Sequence, residues 1–165
     1  MGVVLKIVDA ILLMNYVIMA FGTPLIDSQT CLPAEMFPEV LIKLRGWYTQ
    51  GCGDFLYDEK PTFFMAMVWT EMIFHWPLVL MNIYGMLNAK PWFKTTCLIY
   101  GTSIATSMVP ILAVVLGSGR ASTELLWNYY PYMAMAILGM VRGLLPTKTA
   151  PATANGPASS IKKKA

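Results

Sequence analysis

Glu71 and His75 stand one helical turn apart in an apolar run, FFMAMVWTEMIFHWPLVLMNIYGML, that spans residues 63–87 and holds no other ionisable group of their kind. A carboxyl beside an imidazole can do one of two things. It can hold the amine or hydroxyl of a guest molecule, or it can pass a proton to and from one. It can also do neither, since an acid and a histidine at i, i+4 can satisfy each other. The location narrows the choice. An ionisable side chain near the centre of a membrane span costs roughly 2.5–3.5 kcal/mol on insertion scales, so such groups face the protein interior and mark sites. Residues 71, 75, 78 and 82 share one helical stripe, and Glu71, His75 and Asn82 make three of its four members polar. This stripe is expected to line a pocket between helices.

The run is long enough to be such a span, because about 20 residues of α-helix cross a bilayer. The 165-residue chain is 56% hydrophobic and 13% charged, against the ~25% charge of a soluble domain. Its apolar residues come in long blocks, which identifies an integral membrane protein. No basic face speaks for nucleic acid, and neither a metal site nor a cofactor is expected. Cys31, Cys52 and Cys97 lack metal-ligand spacing. Cys97 reads as a small core residue. Cys31 and Cys52 share one polar loop, and whether they join is left open.

Four spans are predicted: 5–26, 63–87, 95–116 and 125–145. The first lacks a convincing cleavage site and reads as a retained helix. On it Asp9, Tyr16, Thr23 and Asp27 share one face. Asp9 is expected to reach water at the span's end. Residues 27–62 are polar, and Pro33 followed by Glu35 looks like a helix start. One or two short helices, with Leu41, Leu44 and Tyr48 on one face, are expected to lie across the bundle as a lid. Gly51, Gly53 and Asp54 then break the chain, and Pro61 opens the second span.

The third span carries Tyr100, Ser103, Ser107 and Pro110 on one face, with a kink expected at the proline. The fourth begins with Trp127, Tyr129, Tyr130 and Tyr132, suited to the interface or to a pocket wall. The domain is therefore residues 1–145, an all-α four-transmembrane-helix bundle with a short helical lumenal lid. Residues 146–165, rich in Pro, Ala, Ser and Thr, read as a disordered tail. A cytosolic N-terminus places eight lysines and arginines on the cytosolic side and four (Lys43, Arg45, Lys60, Arg120) opposite, which the positive-inside rule favours. Both termini are then cytosolic. Lys162-Lys163-Lys164-Ala165 fits a dilysine retrieval signal for the endoplasmic reticulum.

Six segments carry a resemblance: PLIDSQTCLP (24–33), GWY with Asp54 (46–54), EKPTFF (59–64), the span around Glu71, IYGTSIATSMVPIL (99–112) and YYPY (129–132). In order and spacing they resemble the sigma-2 receptor family, within the EXPERA-domain group that also holds sterol isomerases of the emopamil-binding-protein type. The resemblance implies an endoplasmic-reticulum protein that binds sterols and amphipathic amines in an intramembrane cavity and serves sterol transport or homeostasis. It implies ligand roles for Asp27 and Asp54, an amine-meeting acid at Glu71, and lining positions at Tyr48, His75, Ser107, Tyr129 and Tyr132. Tyr100 joins the candidate ligand-binding set from its face on the third span. The family pattern has an amide where His75 stands, so the chain departs from it there. The expected partners are a sterol or other lipid and the bilayer, with a homodimer and a sterol-transport protein left open. The alternative is a sterol double-bond isomerase in which Glu71 and His75, with Asp54, would donate and accept protons. The third span holds no acid and those relatives are longer, which ranks binding ahead of catalysis.

Overall fold

The structure is a computed structural model, and it describes residues 2–145. The tail from 146 onward, with Lys162–Lys164, lies outside the described residues. Every regular element among those described is helical. Helix α1 (Val3–Leu25) is followed by two 3₁₀ turns, Asp27–Thr30 and Ala34–Met36. Then come α2 (Glu39–Cys52), α3 (Phe55–Glu59), α4 (Thr62–Thr70), a π-helical turn (Glu71–His75), α5 (Trp76–Leu87), α6 (Phe93–Gly117) and α7 (Thr123–Leu144). Three stretches are long and apolar enough to cross a membrane: Val3–Thr30, Thr62–Leu87 and Phe93–Gly117.

The helix start in the 27–62 segment differs from expectation. Pro33 and Glu35 yield only a 3₁₀ turn, and the main helix begins after Pro38. There Pro38 is the N-cap, Glu39 supplies the first-turn acid, and Lys43 pairs with it one turn on at 2.7 Å. Gly53 closes α2 at φ +63°, a left-handed conformation that glycine adopts without strain. Cys31 and Cys52 are not bonded to each other: their thiols donate to the carbonyls of Met65 and Tyr48. Pro110 lies within an unbroken α6.

The expected face of α1 is real and buried. Tyr16 is fully enclosed, its hydroxyl 3.2 Å from the Cys97 sulfur, and Thr23 is 2% exposed. Asp9 is only partly open to its surroundings, its side chain 19% exposed. Its carboxylate is bound by Arg142 of α7, through Nε and, at 3.2 Å, Nη2. An apolar helix end that must hold a cation finds an anion on the neighbouring helix, because an unpaired charge there would be far costlier.

Helices α6 and α7 approach at backbone distance. A methyl group on Gly101 would sit 2.7 Å from the Ala136 carbonyl oxygen and the Met140 nitrogen. Neither can yield, so the helices would have to part. Gly101→Ala is expected to cost about 1–3 kcal/mol, the usual range for overpacking, read as a lowered melting temperature in detergent. An unchanged melting curve would mean that α6 and α7 are not so closely apposed.

Candidate functional site

The span that carries Glu71 and His75 is not a uniform α-helix. Pro77 has no N–H, and its ring crowds the carbonyl one turn earlier, which weakens the α ladder here, although Pro110 lies within an unbroken helix. Before Pro77 the chain widens. The Trp76 N–H reaches back five residues to the Glu71 carbonyl, and residues 71–75 form one π turn. Such turns are rare and concentrate at functional sites. Here it spreads Glu71 and His75 toward different neighbours. Thr23 of α1 donates to Glu71 Oε1 at 2.9 Å, while His75 Nε2 lies 2.7 Å from the Ser103 hydroxyl of α6. The two side chains therefore do not satisfy each other. Each is steadied by a hydroxyl from another helix.

Both face one cavity, whose free space amounts to about 70 Å³. Pockets that hold drug-sized ligands span roughly 300–1,000 Å³, so a guest of that size requires the walls to part. Met19 comes from α1, and Phe64, Met67 and Val68 from α4. Ile104, Ser107, Met108 and Ile111 of α6 close the apolar wall. Asp27, Tyr48, Tyr57, Tyr129 and Tyr132 supply the polar end together with Glu71. Among the described residues that line it there are two carboxyls and no lysine or arginine.

Seven of the nine sequence candidates thus meet around one void: Asp27, Tyr48, Glu71, His75, Ser107, Tyr129 and Tyr132. Two do not line it. Tyr100 lies beneath, edge-on to Tyr16 at 5.4 Å and to His75 at 6.0 Å, and packs the floor. Asp54 is fully buried behind the wall. It caps α3 by accepting the Leu56 N–H at 3.1 Å, and its other oxygen accepts the Tyr129 hydroxyl at 2.7 Å. Burial pushes the Asp54 carboxyl above its ordinary range, and those donors pull it back. Its contact with a guest is indirect, through the placement of Tyr129. The Asn82 end of the stripe also departs from expectation. It is fully buried, away from the cavity, and neither amide atom has a partner among the described residues.

Tyr57 was not singled out in the sequence. Its hydroxyl donates to Asp27 Oδ1 at 3.0 Å, and its ring packs edge-on against Phe64 at 5.1 Å and Tyr48 at 6.4 Å. It therefore orients one of the two acids. Tyr129→Phe tests the Asp54 assignment. It strands a buried carboxyl oxygen, so a stability loss of about 1–3 kcal/mol is expected in thermal unfolding.

The comparisons with known proteins give the family. The family model described as EXPERA (expanded EBP superfamily) matches residues 40–143. Sigma intracellular receptor 2 of Homo sapiens and that of Macaca fascicularis are each 30% identical over 95 residues, 57% of this chain and 54% of theirs. The Xenopus tropicalis protein of that name is 28% identical over 95 residues, covering 57% of this chain and 56% of its own. The chain spans about half the length of the curated relatives it matches. The matched region holds α2 through nearly all of α7, and with it every lining residue except those of α1 and the turn after it, so this membrane protein belongs to the EXPERA family.

Proposed function

We propose that the chain is a receptor for sterol-like lipids and amphipathic amines, held in an intramembrane cavity, and that it serves sterol transport or homeostasis in the endoplasmic reticulum. The observation that carries this reading is the cavity: apolar along α4 and α6, and closed at one end by Asp27 and Glu71, with no lysine or arginine in its lining and the nearby Arg45 held over the Tyr57 ring at 5.5 Å. Two carboxyls at the end of an apolar cavity complement a protonated amine or a sterol hydroxyl. The apolar walls take the rest of the molecule.

In this reading α7 is the fourth span. Its intimate packing on α6 through Gly101 supports that, although Glu124, Arg142 and its tyrosines lower its hydropathy. Helices α2 and α3 form the lumenal lid, and both termini are cytosolic. The direct test is saturable binding of a labelled amphipathic amine to purified protein, displaced by sterols. Absence of saturable binding for both classes sinks the proposal.

A second reading is favoured by one specific observation, the presence of Glu71 and His75 on one cavity. A sterol isomerase needs an acid to protonate one carbon of a ring double bond and a base to take a proton from a neighbouring carbon. Asp54, shielded behind Tyr129, would take no direct part. Incubation with a Δ8-sterol decides between the readings. Formation of a Δ7 product that disappears in Glu71→Gln and His75→Ala establishes turnover, and no product leaves binding alone.

A further inference from the structure

Helix α2 carries three distinct faces. Leu41, Arg45, Tyr48 and Cys52 turn toward the rest of the molecule: Tyr48 lines the cavity, Arg45 donates to the Gln29 carbonyl at 2.7 Å, and Cys52 is buried. Glu39, Lys43 and Gln50 form a polar face, and the side chains of Lys43 and Glu39 are 74% and 79% exposed. Val40, Leu44 and Trp47 form an exposed apolar face, with Trp47 75%, Val40 74% and Leu44 48% exposed. At 3.6 residues per turn the apolar face lies about 100° from the inward face and about 90° from the polar one. The inward and polar faces are thus opposed, and the apolar stripe looks sideways.

That order is informative. A lid surrounded by water would show polar residues on all sides but the inward one. A helix at the rim of a membrane-embedded bundle meets protein on one side, water opposite, and lipid between them. The neighbouring surface continues the pattern. At the same end of the molecule, where the Ser122 hydroxyl meets the Cys52 carbonyl, α7 presents Trp127 74% exposed and Tyr130 47% exposed. Tryptophan and tyrosine concentrate at the headgroup level of bilayers.

We propose that α2 is a membrane-surface helix whose Val40, Leu44 and Trp47 enter the boundary between headgroups and acyl chains. The occupant of the apolar stripe is the lipid leaflet itself. Because Tyr48 sits on the adjoining face, contact with the bilayer holds one wall of the cavity in place.

The test uses the full chain in lipid nanodiscs made with phospholipids brominated near the headgroup end of the acyl chain. Tryptophan emission should be quenched by these lipids, and Trp47→Phe should lose the part of the quenching contributed by residue 47. Aqueous iodide should reach Trp47 poorly in the unaltered chain and well in Leu44→Ser, which weakens the contact. Bromolipid quenching that is unchanged in Trp47→Phe, with iodide quenching lost, overturns the proposal by placing Trp47 in water. Shielding of Trp47 from both quenchers, with cross-linking between copies of Trp47→Cys, also overturns it and makes the stripe a contact between two molecules.

Discussion

Glu71→Gln is expected to weaken a cationic amine by roughly 10- to 150-fold and a neutral sterol by only a few-fold. The substitution keeps size and shape, and the Gln carbonyl can still accept the Thr23 hydroxyl that holds Glu71 at 2.9 Å. What is lost is one of the two carboxyls on a cavity whose lining holds no lysine or arginine. A hydrogen bond to a charged group is worth about 1.5–3 kcal/mol, which sets the fold-change through about 1.4 kcal/mol per factor of ten. A sterol hydroxyl carries no charge and can bond to an amide as well as to an acid. Asp27→Asn should behave alike, since the Asn oxygen can still accept from Tyr57. Displacement binding with one amine and one sterol reads both variants. Equal losses for the two ligand classes would mean that the acids hold the fold and do not meet the charge.

The readable part of this site shares a physical basis. Glu71 and His75 announce themselves because an ionisable group in an apolar span has few other reasons to be there. The face of Tyr16 and Thr23 follows from helical spacing, whereas the site role of Asp27 rests on the family resemblance alone. The unread part depends on partners far along the chain. Tyr57 sits in a polar segment where a tyrosine is unremarkable, and only the fold brings it to Asp27. Asp54 follows a glycine and looks free to meet a guest, yet Tyr129, 75 residues on, takes its second oxygen. Pro77 beside the π turn weakens the α ladder, but Pro110 within an unbroken α6 shows that a proline alone does not announce such a turn. The stripe of residues 71, 75, 78 and 82 assumed an unbroken α period across that proline, and Asn82 accordingly falls outside the cavity.

Removing either partner of the Asp9–Arg142 pair should produce the largest loss of stability. Arg142 is 3% exposed and Asp9 19%, in side-chain terms, so neither charge has much water to fall back on. The guanidinium also lies 5.4 Å from the Phe93 ring centre, and its Nη1 has no acceptor among the described residues. Asp9→Ala leaves that cation wholly unpaired. Breaking a buried pair in this way costs about 3–5 kcal/mol, and at about 2–4 °C per kcal/mol for a chain of this size the melting temperature should fall by roughly 6–20 °C. The paired replacement Asp9→Leu with Arg142→Met removes both charges and keeps apolar volume, so most of the loss should be recovered. The comparison separates two roles for the pair. Recovery in the double variant shows that the single losses come from a stranded charge. A double variant as unstable as the singles would show that the ion pair itself fastens α1 to α7, through geometry that leucine and methionine cannot reproduce.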